Sequence, residues 1–364
     1  MNQQVQSLSQ IAIKGYKSIK DCTLELGNIN VLIGSNGAGK SNFMSIFPLF
    51  QNILVQNLAR FAGKKGANSL FHNGTKVTDS IFAEFRFDTI AYAFELEMSE
   101  SNNLVFREES VEVEGFSPWG DGGHNEARWA EGCRNAKIKD DDLHTLSRGL
   151  WHTYHFNDTS ATSRIKKEHN LSHCNILMWD ASNLAAFLYR LQKHYPAEYG
   201  NIVRAVQMIA PYFKDFELKP EEANEELIIL RWLQQDCDEV FNASQLSDGT
   251  LRFICLATLL LQPEALQPAT IIIDEPELGL HPFAISMLAE MVQRTAVSKQ
   301  IIIATQSVEF LNNFRPEDIV VVDRNKNGSE FKRLASEQLT YWLENDYTLG
   351  ELWNKNVFGG RFAR

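Results

Sequence analysis

Apolar and polar residues alternate along several stretches of the chain, and this spacing predicts strands that bury one face. The alternation is found in 81–87 and 92–98, and 104–113 is a third candidate. A similar pattern in 11–13 and 24–26, on either side of a short turn, predicts an opening hairpin. The sequence therefore predicts an antiparallel β subdomain in its first third.

Continuous apolar runs predict a second set of strands, which are buried on both faces. They lie at 29–33, 270–273, 301–304 and 318–322, and apolar residues at helical spacing separate the last three. Strands that alternate with helices form a mostly parallel sheet, and such sheets bind ligands at the carboxyl ends of their strands. Because Gly34, Asp274 and Thr305 lie at those ends, we expect the three positions to converge.

The predicted architecture is one α/β domain that spans residues 1–364 and carries insertions. A helix is expected from 42 to 62, with a kink at Pro48, and two more at 183–195 and 197–210. The predicted parts are a core of 1–62 and 240–330, a β lobe of 78–114, a variable insertion of 115–175, a helical lobe of 176–239 and a C-terminal tail of 331–364.

Net charge, apolar runs and cysteine content limit the partners that this protein can bind and the cellular compartment in which it can work. The net charge is −11, so DNA could be held only through a local basic patch and not by overall charge. The chain has no apolar run that is long enough to cross a membrane, and residues 1–10 do not resemble a secretion signal. Its five cysteines are scattered, which is typical of a reducing cytoplasm, and we expect a cytoplasmic protein.

A glycine-rich stretch directly follows the first buried run and precedes a predicted helix. This is the setting of a P-loop, in which backbone N–H groups surround a phosphate. Lys40 would reach the β- and γ-phosphates of a nucleoside triphosphate, and the Ser41 hydroxyl would take one Mg²⁺ position. The loop consists of Gly34, Ser35, Asn36, Gly37, Ala38, Gly39, Lys40 and Ser41.

Two carboxylates and a second helix start complete the candidate chemistry. Asp274 and Glu275 end a buried run, where the first suits Mg²⁺ and the second could polarise a water molecule. Residues 246–250 open an apolar helix predicted at 251–261; Ser247 can cap it, and free N–H groups there would bind an anion. Because the P-loop already holds phosphate from one side, the second anion site suggests a second subunit that closes over the γ-phosphate.

These motifs resemble those of ATP-binding-cassette (ABC) ATPases of the RecF, SMC and OLD group, and most of all the stand-alone OLD-like AAA ATPases. The resemblance covers roughly 8–60 and 240–325, with Walker A at 34–41, the signature motif at 246–250, Walker B at 271–275 and a D-loop at 276–282. The family's Q-loop glutamine has no clear counterpart here.

The resemblance implies an ATPase head with an antiparallel subdomain and a helical lobe, which binds ATP and Mg²⁺. Two such heads would sandwich ATP, as a dimer or within a higher oligomer, and the signature residues Ser247, Asp248 and Gly249 would belong to the partner's nucleotide site. The implied catalytic residues are Lys40, Glu275 as the catalytic carboxylate, and Gln306 at the switch position, where the family often has histidine. Ser41 and Asp274 are the implied metal ligands.

Two features that related ATPases have and this sequence lacks indicate the cellular process in which the protein acts. The chain has no heptad repeats for an SMC-type arm, and we expect no room for the Toprim nuclease domain that follows the head in OLD proteins. We therefore expect a switch that controls a separately encoded effector, such as a nuclease, in bacterial phage defence or DNA repair. The alternative is a nucleotide-held scaffold that senses DNA or a phage protein with little turnover. A transporter ATPase fits the signature motif less well.

The histidine-rich segment and the C-terminal tail each allow two interpretations. Five histidines at 144, 152, 155, 169 and 173 could bind zinc, but their spacing matches no strong zinc pattern, so a polar surface is the simpler interpretation. The apolar residues of the tail could dock a partner or pack on the chain's own head.

Overall fold

The structure is a computed structural model that describes residues 6–114, 116–138, 146 and 151–360. It contains two compact units. Unit 1 comprises 1–153, 268–272 and 299–364, and unit 2 comprises 154–267 and 273–298. Within the described ranges, the structure has no helix that is long and apolar enough to cross a membrane.

Unit 1 contains a six-stranded antiparallel sheet in the order β2-β1-β4-β5-β6-β7. The predicted opening hairpin and the predicted β lobe therefore belong to one sheet. Alternate side chains of β4 are buried, as the sequence pattern predicts. The strands are β1 (Leu8–Tyr16), β2 (Ile19–Glu25), β4 (Ser80–Phe87), β5 (Ile90–Met98), β6 (Leu104–Val113) and β7 (Phe116–Asp121).

The second six-stranded sheet has the order β18-β17-β3-β16-β15-β8. Its strand β3 pairs in parallel with both β16 and β17, and β18 adds an antiparallel edge. This mixed but mostly parallel sheet confirms the predicted fold class. The strands are β3 (Ile29–Ile33), β8 (Thr153–Tyr154), β15 (Thr270–Asp274), β16 (Gln300–Thr305), β17 (Ile319–Asn325) and β18 (Gly328–Arg333).

Three short helices replace the single kinked helix expected after the P-loop. They are α1 (Lys40–Met44), α2 (Ile46–Leu54) and α3 (Leu58–Lys65). The break between α1 and α2 falls at Ser45, so Pro48 lies in the first turn of α2, where a missing N–H breaks no helical hydrogen bond. The buried face of α2 packs on the antiparallel sheet, with Phe50 stacked on Phe85 at 3.8 Å between ring centroids.

The described part of the predicted insertion contributes to the hydrophobic core of unit 1. Strand β7 pairs with β6, and α4 (Trp129–Asn135) follows it. Trp129, Cys133 and Trp151 are buried in the same core as Phe50. The polar and glycine-rich composition of 115–142 predicts a surface insertion or a disordered loop. This prediction is wrong for the described residues 116–138, because their few large apolar side chains pack into the core.

Unit 2 is built on helices with two small antiparallel sheets. Its helices are α5 (Leu184–His194), α6 (Pro196–Ile209), α7 (Asp248–Leu261) and α8 (Pro282–Thr295). The first two lie close to the predicted 183–195 and 197–210. The sheets have the orders β10-β13-β14 and β11-β12-β9, with β9 (His169–Asn170), β10 (Phe213–Glu217), β11 (Pro220–Glu221), β12 (Asn224–Ile228), β13 (Arg231–Gln234) and β14 (Val240–Asn242).

The C-terminal segment of unit 1 packs on its own unit. It contains α9 (Val308–Leu311), α10 (Thr340–Leu343) and α11 (Leu349–Asn354). Leu352 and Trp353 of α11 are buried, and the Gly350 N–H donates a hydrogen bond to Asn312 Oδ1 at 2.7 Å. These contacts agree with the second interpretation of the tail.

Candidate functional site

The candidate site residues are divided between the two units. Residues 34–41 and Gln306 belong to unit 1, whereas 247–249, Asp274 and Glu275 belong to unit 2. The expected convergence of Gly34, Asp274 and Thr305 stays a prediction.

The P-loop of unit 1 turns directly after the buried strand β3 and has two glycines in the left-handed region. Gly37 has a φ of 79° and Gly39 a φ of 121°, conformations that glycine adopts without a steric penalty. A Cβ atom on Gly39 would also lie 2.0 Å from the Ser329 hydroxyl oxygen. The loop conformation therefore requires glycine at position 39 for two independent reasons.

Hydrogen bonds from distant parts of the chain hold the carbonyl groups of the loop. The Ser329 hydroxyl donates to the Ala38 carbonyl at 2.6 Å, and Arg324 Nη1 donates to the Gly37 carbonyl at 3.2 Å. Because the C=O and N–H of a peptide group point in opposite directions, fixing the Ala38 carbonyl turns the Gly39 N–H the other way. This arrangement leaves backbone donors for an anion.

The Lys40 side chain lies back along the loop. Its Nζ donates to the Gly34 carbonyl at 2.6 Å and to the Ser35 carbonyl at 3.2 Å, and the residue is buried. A cation that is held against the loop by two carbonyl groups would sit beside phosphates bound by the loop's N–H groups.

The register of the parallel sheet places Gln306 beside the start of the P-loop. Thr305 of β16 pairs with Ile33 of β3, so the residues that follow them, Gln306 and Gly34, leave neighbouring strands at the same edge. Ser307 then caps α9, because its hydroxyl accepts a hydrogen bond from the Phe310 N–H at 3.0 Å. This part of the site is assembled as the strand pattern predicts.

In unit 2, Asp274 lies at the end of β15 and is 7% exposed. Its Oδ2 is 3.3 Å from His155 Nε2, while its buried Oδ1 has no hydrogen-bond partner among the described residues. A buried carboxylate oxygen without a partner is costly, and a hard divalent cation such as Mg²⁺ would satisfy it. This oxygen therefore fits one position in the coordination shell of a magnesium ion.

Sequence reasoning did not single out His155 as a partner of Asp274. The pKa of His155 is raised by its hydrogen bond to Asp274, against the effect of burial, and the charges of Asp274 and Glu275 raise it further. The Asn157 amide lies 3.2 Å from His155 Nδ1, so donation to Nδ1 would leave the proton on Nε2, facing Asp274. The only signal in the sequence was the histidine-rich segment, which gave no reason to choose this member.

The backbone turns sharply at Glu275, whose φ is 49°. Left-handed conformations are uncommon for residues other than glycine and cluster at functional sites, where they redirect a side chain. Adjacent carboxylates at the end of a straight strand would point to opposite faces. The turn at Glu275 therefore gives its carboxylate a direction that the strand alone would not provide.

Residues 248–250 of the predicted signature motif form the first turn of α7. The Ser247 hydroxyl accepts a hydrogen bond from the Thr250 N–H at 3.1 Å and so caps the helix. Gly249 lies against the D-loop, because a Cβ at this position would be 2.5 Å from the Gly279 carbonyl oxygen. The signature turn and the loop after Glu275 are therefore in backbone contact.

Arg252, one turn into α7, is a second residue that sequence reasoning missed. It is 6% exposed and its guanidinium donates to three main-chain carbonyl groups, those of Phe156, Asn157 and Leu278. Burial lowers the pKa of the guanidinium. The available signal was a single charged residue in the otherwise apolar run of 251–261.

The histidine-rich segment does not form a metal site within the described part of the chain. No group of three or more histidine, cysteine or acidic residues there could hold a metal ion. His169 and His173 lie near each other, with ring centroids 5.5 Å apart, whereas His155 contacts Asp274. His144 lies outside the described residues.

Comparison with protein families and solved structures is consistent with this geometry. A family model described as "AAA domain, putative AbiEii toxin, Type IV TA system" matches residues 29–312. This range begins in β3 and ends just after α9, so it includes every candidate site residue. A search of curated proteins finds no match.

Several solved structures of SMC head domains have a similar fold. An Smc head bound to the C-terminal winged-helix domain of ScpA has a TM-score of 0.60 and 14% identity, and the match covers 91% of this chain and 99% of that one. Heads from Pyrococcus furiosus, also bound to a ScpA domain, and from Pyrococcus yayanosii have TM-scores of 0.58 and 0.59. They are 14% and 11% identical, and each match covers 93% of this chain and 99% of the other. At these identities the likeness shows the fold alone.

Proposed function

The chain belongs to the family of AAA domains described as putative AbiEii toxins of type IV toxin–antitoxin systems and has the fold of SMC heads, and from this premise we propose that it works as an ABC-type ATPase. It binds ATP with Mg²⁺, dimerises head to head around the nucleotide and opens again after hydrolysis. In doing so it switches a separately encoded effector, such as a nuclease, in bacterial phage defence or DNA repair.

The observation that carries the proposal is the conformation of the loop 34–41. Two left-handed glycines follow a buried strand, and distant side chains hold the loop's carbonyl groups away from the anion site. Backbone N–H groups in such a loop bind phosphate, and Lys40 adds a positive charge.

The other residues have distinct roles in the proposal. Ser41 and Asp274 would hold Mg²⁺, which neutralises negative charge on the phosphates when it is bound. Glu275 orients and polarises the attacking water, and the Gln306 amide donates a hydrogen bond to the γ-phosphate. An amide cannot become cationic, so this position adds no histidine-type pH dependence, and we expect slow hydrolysis.

In this proposal, dimerisation depends on the signature residues 247–249 at the start of α7. Ser247, Asp248 and Gly249 start a helix of 14 residues, and their N–H groups would face the γ-phosphate held by a second copy. An effector would bind the head as a separate protein, as the ScpA domains do in two solved structures of SMC heads.

DNA, if it is a ligand, would use a local basic groove. Lys14, Lys20, Arg107 and Lys326 line one groove of unit 1, although Arg107 also pairs with Glu95 at 3.4 Å. This is the kind of local patch that an acidic chain needs for contact with phosphate.

The test compares ATP binding, ATP hydrolysis and molecular mass for three proteins. Wild type should hydrolyse ATP slowly and form dimers with ATP and Mg²⁺. Lys40→Ala should bind ATP about 10-fold or more weakly, because a charge-assisted contact to phosphate is lost. Glu275→Gln should bind ATP normally and accumulate dimers. A Glu275→Gln protein that stays monomeric with saturating ATP and Mg²⁺ would refute the sandwich.

The nucleotide-held scaffold predicts a different result from the same assay. It shares ATP binding and dimerisation but shows no steady-state turnover, with or without DNA. The uncharged Gln306 at the switch position is the feature that favours it. Turnover that stops on Glu275→Gln substitution would exclude the scaffold.

A further inference from the structure

We propose that Arg252 is a positioning residue for the carboxylates Asp274 and Glu275. Its guanidinium binds the two peptide segments that flank the carboxylate pair and fixes both segments to the signature helix. The inference rests on the proposed function, because its catalytic consequence requires that ATP is hydrolysed at this pair.

The guanidinium has three main-chain acceptors from two segments of unit 2. Nε donates to the Phe156 carbonyl at 3.1 Å, Nη2 donates to the Asn157 carbonyl at 3.2 Å and Nη1 donates to the Leu278 carbonyl. The planar fork of arginine suits several acceptors at fixed angles, whereas lysine offers a single point charge. The contact is therefore specific for arginine.

The first segment leads to Asp274. His155 directly precedes Phe156, and its Nε2 is 3.3 Å from Asp274 Oδ2. Because Arg252 holds the carbonyls of both Phe156 and Asn157, the backbone that carries His155 has little freedom to rotate. The position of the imidazole, and with it the orientation of the Asp274 carboxylate, depends on Arg252.

The second segment leads to Glu275. The Leu278 N–H donates to the Glu275 carbonyl at 3.3 Å, and Glu275 itself adopts a left-handed conformation. A strained residue keeps its conformation only when its surroundings hold it there. The bond from Arg252 to the Leu278 carbonyl supplies such a restraint from the other end of the turn.

Stability alone does not account for this residue. A charged group in a buried position costs desolvation energy, and an apolar side chain of similar size is often as stabilising or more so. Arg252 is surrounded in sequence by apolar residues that would tolerate such a replacement. Its three carbonyl contacts specify the relative placement of segments instead.

The position of Arg252 on α7 has a further consequence. The same helix begins with Ser247 and Gly249, which in the proposed dimer contact the nucleotide of the other copy. Arg252 thus connects the turn that serves the partner's nucleotide to the carboxylates that serve the chain's own. A shift of the signature turn would be transmitted to Asp274 and Glu275 through this side chain.

The first experiment uses Arg252→Lys with Thr258→Val as its matched control. Thr258 is buried on the same helix, and its hydroxyl donates only within the helix, to the Ile254 carbonyl at 2.7 Å. Arg252→Lys should lower kcat about 10- to 100-fold, the effect expected of a carboxylate misplaced by about 1 Å. The Kd for ATP measured without Mg²⁺ should be unchanged, since the P-loop belongs to unit 1. Thr258→Val should lower thermal stability without a comparable loss of kcat.

A second readout does not depend on turnover. In the Glu275→Gln background, the Mg²⁺ concentration that half-saturates binding of a fluorescent ATP analogue should rise several-fold on Arg252→Lys substitution, because Asp274 loses its fixed orientation. A purely structural role of Arg252 would lower stability but leave this concentration where it is for Thr258→Val.

A second variant, Gly279→Ala, disturbs the contact of Arg252 from the D-loop side. It keeps the proposal testable if Arg252→Lys does not fold. Gly279 is exposed with a φ of 74°, and a Cβ there would lie 2.7 Å from Arg252 Nη1, so Gly279→Ala displaces the guanidinium. Gly123→Ala is the control, because Gly123 has a φ of 75° and no atom within 4 Å of the added Cβ. Gly279→Ala should reproduce the loss of kcat, and Gly123→Ala should not.

The outcomes separate the two proposals. If wild type hydrolyses ATP and both Arg252→Lys and Gly279→Ala match their controls in kcat and Mg²⁺ dependence, the role of Arg252 is refuted and the proposed function stands. If wild type neither binds nor hydrolyses ATP, the proposed function fails, and the inference fails with it. If Arg252→Lys does not fold, the role of Arg252 is judged by comparing kcat and Mg²⁺ dependence of Gly279→Ala with those of its control, Gly123→Ala.

Discussion

Gly249→Ala is the substitution for which the structure predicts the largest separation between stability and activity. An added Cβ would lie 2.5 Å from the Gly279 carbonyl oxygen, and ordinary contact begins near 3.4 Å. The D-loop must therefore retreat by 3.4 − 2.5 = 0.9 Å. Because Glu275 lies at the start of this loop, its carboxylate moves with it.

The magnitude follows from this displacement. A misplacement of about 1 Å in a catalytic group costs about 100-fold in rate, or about 2.7 kcal/mol of activation free energy. Alanine is favoured over glycine by about 1 kcal/mol in a helix interior and by less at Gly249, the second residue of α7, so propensity offsets only a small part of the strain. We therefore expect kcat to fall about 100-fold while the melting temperature changes little.

The assay measures kcat, the Kd for ATP and the melting temperature, with Gly200→Ala as control. Gly200 lies inside α6, and an added Cβ there meets only Arg204 Nη1, at 3.5 Å. The control should keep full activity and gain slight stability. Gly249→Ala with more than about a third of wild-type kcat would show that the D-loop accommodates the methyl group without moving Glu275 and would refute this reasoning.

Three further predictions concern stability. Burial, with a smaller effect of Lys65, lowers the pKa of Lys17 to about 8, so between about pH 8 and about pH 10.5 the unfolded chain binds more protons than the folded one. This group therefore adds stability as pH rises through that window, and Lys17→Met should remove the gain in melting temperature between pH 8 and 10. Leu352→Ala should lower the free energy that holds α11 on its unit by about 2–5 kcal/mol. The tail should then be cleaved in limited proteolysis before the rest of the chain. Phe50→Ala removes a fully buried ring stacked on Phe85 and should lower the free energy of unfolding by about 3–5 kcal/mol in denaturant titrations.

The sequence predicts the sheets well because their signal is local. A strand with one buried face must alternate, and the alternation in 81–87 and 92–98 corresponds closely to β4 and β5. The helical prediction after the P-loop was less accurate, since Pro48 indicates a helix start as readily as a kink. The core residues Trp129 and Trp151 were missed because each stands in a polar context and reaches the core through tertiary packing.

The residues of the candidate site likewise fall into two groups: those that a local motif identifies and those that only contacts with distant residues define. The loop 34–41 and the carboxylates at the end of β15 are visible as motifs, because the chemistry demands particular residues at fixed spacing. His155 and Arg252 are not visible, because their role is defined by contact with Asp274 and with the carbonyls of 156, 157 and 278. No spacing along the chain encodes such contacts.

The P-loop itself shows why a motif does not determine its own shape. Arg324 and Ser329, which hold its carbonyl groups, follow Gly37 and Ala38 by 287 and 291 residues. The hairpin of β17 and β18 that carries them lies beside β3 through the parallel pairing of β17, so the loop is completed only when the last strands of the sheet are in place. The residues of 34–41 specify which anion chemistry is available, and the distant hairpin determines the geometry in which it is presented.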